Sequence, residues 1–498
     1  MDTLWQLRPA LILAITPLAA VLILLSGRRP NLREGWTLGA AFLQASLVLS
    51  MVPEVLEGGT FEVVLLPLAS GFDLVLRTDP LGMVFACVSS ILWVVTSFYS
   101  IGYMRAVEAP HQTGYFAAFA MCVGAATGLA FAGNPLTFFI FYEVLTISTY
   151  PLVVHKRTEE ALKVGRKYLA YTLSAGLCLL LAVGWSQSLV GGEPFVAGGF
   201  LSTKVASPTT LTILFVLFML GVGVKAGIMP LHAWLPAAMI APTPVSALLH
   251  AVAVVKAGVF GTLRVVGYVF GPETLKELGV ALPLATLAGF TIVTASVIAL
   301  TQQNLKRRLA YSTISQLSYI VLGAALLTPT SMFGATMHIA GHAFMKITLF
   351  FCAGAIYAHC HVTEIRDLRG IGKAMPLTMG AFAVGAVGLA GIPPLPGFVS
   401  KWWLAGGAIE ADQWIFLAVL VTSALLNILY FFPIIFDAFF RTSERYPKYD
   451  EAPLLLVGPP AFTAAACLLL GIAPDLGPHF WSFARQVMAN FLLLGGGG

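Results

Sequence analysis

The chain has 498 residues, 58% of them hydrophobic and 10% charged, where a soluble domain would be about 25% charged. Too few polar side chains exist to cover a water-soluble surface of this size, and a formal charge of +5 spread over many short loops is not the basic patch that nucleic-acid binding requires. Composition therefore excludes a soluble enzyme and a nucleic-acid-binding protein, and it makes the lipid bilayer the chain's first partner.

In chain order, apolar runs of about 20 residues between charged or Gly/Pro-rich breaks predict an all-α polytopic membrane protein with about 14 transmembrane helices. An N-terminal three-span region over 1–112 holds runs at 9–26, 36–52 and 79–102. A five-helix unit over 113–270 holds 113–132, 134–154, 164–188, 209–230 and 243–269. A second unit over 271–438 holds 280–300, 309–327, 332–357, 376–405 and 412–438, and a C-terminal span and tail over 439–498 holds 454–473. The first run is followed by Arg28 and Arg29 with no small-residue cleavage site, so it reads as a retained first span.

Basic residues test the count. Alternate loops carry Arg28, Arg29 and Arg33; Arg105; Lys156, Arg157, Lys163, Arg166 and Lys167; Lys306, Arg307 and Arg308; Arg366, Arg369 and Lys373; and Arg441, Arg445 and Lys448, eighteen of the 28. The other loops and the two ends hold Arg8, Arg77, Lys204, Arg264, Lys276 and Arg485. Positive charge stays inside, so both termini are expected on the outer side of the cell membrane.

Five charged side chains fall within apolar runs: Glu143, Lys225, Lys256, Lys346 and Lys401. A charge at the bilayer centre costs about 2.5 to 3.5 kcal/mol, so five left uncompensated would cost on the order of 12 to 18 kcal/mol. A whole domain has a net stability of only about 5 to 15 kcal/mol. These groups must face one another or water, which makes proton or cation movement the default function. His338, His342 and Lys346 are spaced i, i+4, i+8, along one side of a helix. His250 lies near Lys256 and is a further candidate for the same path.

The spans at 209–230 and 376–405 are interrupted, at GVGVKAGIMP (Gly221–Pro230) and GIPPLPGF (Gly391–Phe398). Interrupting a membrane helix frees backbone carbonyls, tolerable only beside protein or water. Lys225 and Lys401 are 176 residues apart, Lys167 and Lys346 are 179 apart, and TIS recurs at Thr146 and Thr313. These matches predict two inverted five-helix repeats with broken helices at spans 7 and 12, as in transporters.

No cofactor or metal is expected. The six cysteines form no CxxC pair and read as isolated buried thiols. GVGVKA fits a dinucleotide fingerprint but has no strand before it. HxxxH at His338 and His342 lacks an acidic third ligand on its face, and Lys346 would repel a cation. With no Walker motif, haem site or redox centre, the chain cannot power a pump alone.

Three long segments carry a resemblance: VKAGIMPLHAWLPAAMIAPTPVSALLHAVAVVKAGVF (Val224–Phe260), LKRRLAYSTISQLSYI (Leu305–Ile320) and HIAGHAFMKITLFF (His338–Phe351). They resemble the antiporter-like proton-translocating subunits of respiratory complex I, Mrp-type cation/proton antiporters and membrane-bound hydrogenases. Its length makes the chain most similar to the Mrp D-type subunit. The resemblance implies that Glu143 pairs with Lys225 of the broken seventh helix and that Lys256 continues the path. It makes His338, His342 and Lys346 the polar cluster of helix eleven and Lys401 the ionisable group of broken helix twelve, where some members carry Glu. The expected relay runs from Lys225 toward Lys256 and His250, then through His338, His342 and Lys346 to Lys401, with water bridging the gaps.

The implied function is proton translocation within a multi-subunit Mrp-like cation (Na+)/proton antiporter, with other membrane subunits as partners and protons and Na+ as the ions. The alternatives are an ion-pumping module of a redox-driven complex, such as a membrane-bound hydrogenase or complex I relative, and one serving bicarbonate or CO2 uptake.

Overall fold

The computed structural model describes residues 5–68 and 72–495 and is nearly all helical. In chain order come α1 (Arg8–Leu25), α2 (Pro30–Leu56), a hairpin of β1 (Glu62–Leu66) and β2 (Leu74–Arg77), α3 (Pro80–Ala106), α4 (Gln112–Ala130), α5 (Pro135–Val153) and α6 (Glu159–Val190). Then come α7 (Pro208–Ala226), α8 (Thr243–Phe270), α9 (Pro272–Leu278), α10 (Ala281–Thr301), α11 (Leu305–Ala325) and α12 (Pro329–Cys360). Two half-length helices, α13 (Pro376–Ala390) and α14 (Pro396–Glu410), are followed by α15 (Trp414–Phe440), α16 (Leu454–Ile472) and α17 (Phe480–Gly495). Among the described residues, 12 helices are long and apolar enough to cross a membrane; α11 and the α13–α14 pair fall on the other two expected runs.

The helix starts are written in the sequence. Asp79, Asn134, Thr158, Ser207, Asn304 and Thr328 each accept a hydrogen bond from a backbone N–H of the first turn that follows. Proline occupies the opening of α3, α5, α7 and α12, where its missing N–H costs nothing.

Burial sorts the helices into a centre and a sleeve. α8 is buried along its whole length, and α12 from Ser331 to Ile356. α12 packs against α3, α11, α13, α14, α16 and α17. Leu18, Leu25, Leu177, Leu181, Leu425, Leu429 and Phe440 face outward from α1, α6 and α15, as lipid-facing residues should. The polar residues therefore collect where water cannot reach freely, around α8 and α12.

Both expected breaks are present. α7 ends at Ala226 with Gly227 at φ +70°, and α13 ends at Ala390 with Gly391 at φ +89°, a left-handed conformation that glycine adopts without a Cβ penalty. The lysines do not occupy equivalent places: Lys225 lies in the last turn before its break, whereas Lys401 lies in α14, after its break. α8 is itself irregular, with π-helical stretches at Leu248–Val252 and Val265–Phe270, a distortion often found at functional positions.

Among the described residues, the elements outside the sequence-based expectation include the hairpin, α9 and α17. α17 buries Phe480, Phe483, Ala484, Val487 and Phe491 and packs against α12 and α3. Its Gln486 donates to the Leu56 carbonyl at 2.7 Å. Arg264, expected in an outer loop, is instead fully buried in α8 and paired with Asp79.

Candidate functional site

Lys225, Lys256, His250, His338, His342 and Lys346 are all fully buried, and Lys401 is 9% exposed. Each sits on a helix whose packing determines its reach. α7 and α8 touch so closely that a Cβ at Gly258 would overlap the backbone of Lys225 and Ala226. This contact puts the end of the broken helix against the turn that carries Lys256.

Lys225 Nζ donates to the Tyr142 carbonyl of α5 at 2.6 Å and stands 3.4 Å above the centroid of the Tyr142 ring. The Tyr142 hydroxyl donates in turn to the Gly221 carbonyl at 2.7 Å, tying α5 to α7. The expected Glu143–Lys225 ion pair is not formed among the described residues. Instead the ammonium rests one residue earlier, on the backbone and ring of Tyr142. Glu143 is half-buried against Gly176 of α6, and its Oε1 has no protein hydrogen-bond partner.

Lys256 Nζ lies 2.8 Å from His342 Nδ1. His342 and His338 rings are 5.8 Å apart, and His338 Nδ1 lies 2.7 Å from the hydroxyl of Ser400, the neighbour of Lys401. Their Nδ1 atoms thus serve different partners, and the HxxxH pair does not converge on a common point. No group of three or more His, Cys, Asp or Glu side chains able to hold a metal occurs among the described residues.

Lys346 departs from the expected linear order. It hydrogen-bonds neither histidine and donates to Ser312 Oγ of α11 at 2.8 Å. Lys401 Nζ reaches back across the break to the carbonyls of Leu389 at 2.6 Å and Ala390 at 3.4 Å. It thereby caps the C-terminal end of α13, where the helix dipole favours a cation. The His250 ring packs at a tilt against Phe350, centroids 4.7 Å apart, with neither ring nitrogen bonded to protein.

Several buried polar groups escape a reading of the sequence. Lys306, expected in an inner loop, is half-buried, donates to the Ala241 carbonyl at 2.7 Å, and lines a cavity of about 570 Å³. His155, Lys156, Tyr103, Thr243 and Tyr357 share that cavity. Arg308 is buried and holds the carbonyls of Gln302 and Tyr430. Ser312, Gln316, Asn427 and Tyr430 are fully buried polar residues. A signal for them exists: Ser312 and Gln316 are one turn apart, and Asn427 is a lone amide in an apolar run.

The arrangement brings together amines, imidazoles and hydroxyls in the centre of a membrane fold, and among the described residues no carboxylate forms an ion pair with any of the four lysines. Such groups exchange protons and offer little to a hard cation, which prefers oxygen ligands.

The sequence matches the family described as NADH:quinone oxidoreductase/Mrp antiporter, TM, over residues 132–427. Subunit N of the NADH-quinone oxidoreductase of Desulforudis audaxviator (strain MP104C) is 31% identical over 434 residues, covering 85% of this chain and 84% of that one. The D-type subunit of the Na(+)/H(+) antiporter of Alkalihalophilus pseudofirmus (strain ATCC BAA-2126 / JCM 17055 / OF4) is 28% identical over 427 residues, covering 84% of each. Among solved structures, a chain of the Mrp complex from Dietzia sp. DQ12-45-1b superposes with a TM-score of 0.87, covering 99% of this chain and 100% of that one at 21% identity, a likeness of fold.

Proposed function

We propose, on the premise that this chain belongs to the NADH:quinone oxidoreductase/Mrp antiporter membrane family, that it is the proton-translocating subunit of a multi-subunit Mrp-like Na+/H+ antiporter. The observation that carries the reading is the direct contact of Lys256 with His342 at 2.8 Å in a fully buried setting. An amine and an imidazole at that distance can pass a proton between them, and neither has a carboxylate to neutralise it.

The path begins at Lys225, with Glu143 setting the charge nearby, and continues through Lys256, His342 and His338 toward Lys401. Lys346 lies on a second branch, and His250 is reached through water. Fourteen spans with both termini outside place the basic loops within the cell, and the cavity at Lys306 then opens on the inner face. In this topology Ser312 and Lys346 lie deeper than Lys306, and Lys401 is nearer the outer end. The two five-helix units over 113–270 and 271–438 supply Lys225 and Lys401 respectively.

A second reading is an ion-pumping module of a redox-driven complex. The 31% identity to a subunit of NADH-quinone oxidoreductase supports it. Purification of the native complex in mild detergent separates the two. Co-purification with small hydrophobic subunits alone is the expected result, and partners carrying iron–sulfur or nickel centres would move the assignment to the redox machine.

A further inference from the structure

We infer that Tyr430 and Ser312 form the hydroxyl relay by which Lys346 delivers a proton toward Lys401, a branch that rests on the proton-path reading. Lys346 Nζ is 2.8 Å from Ser312 Oγ, and the Tyr430 hydroxyl is 3.2 Å from the same oxygen. Tyr430 also hydrogen-bonds Asn427 Oδ1. The Asn427 amide is oriented by its own donation to the Ser423 carbonyl at 2.6 Å. Gln316 Nε2 donates to Asn427 Oδ1 at 3.2 Å and reaches the Leu389 carbonyl at 3.5 Å, the acceptor that Lys401 uses at 2.6 Å. A continuous polar seam thus links the two lysines across α11, α15 and α13.

Burying this many polar groups in a membrane core has to be explained. Amides cannot readily accept and release protons in sequence, so Asn427 and Gln316 are positioning residues: they hold Tyr430 and share the acceptor of Lys401. Hydroxyls can reverse the direction of their hydrogen bonds, which is what a relay requires. Gln316 Oε1 is buried with no protein partner, which suits it to hold the water that covers the last interval.

The step balances. Lys346 gives one proton to Ser312 Oγ as the Ser312 proton passes to Tyr430 Oη. The Tyr430 proton goes to water, and a water proton reaches the neutral amine of Lys401. One N–H bond breaks at Lys346 and one forms at Lys401, each oxygen keeps its number of protons, and no electrons transfer.

The test is cation-linked proton movement in inside-out vesicles carrying the complete complex. Tyr430→Phe and Ser312→Ala, assembled to normal levels, are each expected to slow transport severalfold, the share this branch carries, while the path through His342 and His338 remains. Ser312→Thr, which keeps the hydroxyl, is expected to restore most of the rate, and a rate lost in Ser312→Ala at unchanged thermal stability separates a relay from a purely structural seam. Normal rates in Ser312→Ala and Tyr430→Phe would overturn the relay, and if Tyr430→Phe failed to assemble the Ser312 pair would decide alone. If Lys401→Ala also transported normally, the proton-path reading itself would fall, and this branch with it.

Discussion

Replacing Lys225 with alanine is expected to lower cation-linked proton movement by on the order of a hundredfold or more while the complex still assembles. Lys225 ends the first half of a broken helix with its ammonium on the Tyr142 carbonyl and ring. Its removal takes one charged donor from a carbonyl that the Thr146 hydroxyl still serves at 3.2 Å, a loss of about 1.5 to 3 kcal/mol. It also removes a charge that is expensive to keep in the bilayer. The net effect on folding should therefore be small, because the two terms oppose each other. Nothing else on α7 can hold a proton at that place, so transport should carry the loss. Glu143→Gln preserves shape but deletes the nearby negative charge, and a smaller fall in rate is expected. Proton movement in inside-out vesicles, normalised to assembled complex, checks both; near-normal transport in both variants would defeat the relay.

The largest effect on stability is expected at Asp79. Its carboxylate pairs with the fully buried guanidinium of Arg264 and also accepts from the Gly82 N–H at 2.7 Å, starting α3. The Arg264 guanidinium stacks within about 5 Å of the Phe195, Phe260 and Tyr268 rings. Those contacts stabilise the cation but do not neutralise it. Asp79→Ala leaves a buried charge unpaired, at about 3 to 5 kcal/mol, and removes a helix cap worth about 1 kcal/mol. Thermal unfolding of the purified protein in detergent should show a clear loss relative to wild type. Removing the charge as well, in an Asp79→Asn/Arg264→Met double variant, is expected to recover most of it. A single variant as stable as wild type would show that Arg264 does not depend on its partner.

The helices are legible because lipid imposes a simple rule on sequence. A long apolar run bounded by Asp-Pro, Asn-Pro, Ser-Pro or Thr-Pro marks where a helix begins, and α3, α5, α7 and α12 start there. Gly227 and Gly391 mark the breaks for the same local reason. The hairpin and α17 escape this rule because each is too short to cross the membrane and derives its stability from docking. In α17 the period of Phe480, Phe483, Val487 and Phe491 is the signal of an amphipathic helix.

The candidate site is legible residue by residue but not in its connections. Glu143, Lys225, Lys256, Lys346 and Lys401 stand out against apolar neighbours, so their burial follows from composition. Their partners depend on helix rotation, which a sequence does not specify at the scale of one residue. Lys225 therefore meets Tyr142 rather than Glu143, and Lys346 meets Ser312 rather than the histidines. Arg264 is misplaced by its sequence position because it lies near the end of an apolar run, where an exposed loop charge and a buried ion pair look alike.

On the proposed path water bridges every interval except the direct Lys256–His342 contact, since Lys225, Lys256 and Lys401 are not hydrogen-bonded to one another. An experimental density map of the assembled complex, at a resolution that shows ordered water, tests this most directly. It should reveal water on Glu143 Oε1, on the His250 ring, and on the free Nε2 atoms of His338 and His342, each a buried atom without a protein partner. Dry apolar packing around those atoms, with each lysine enclosed apart from the next, would contradict it.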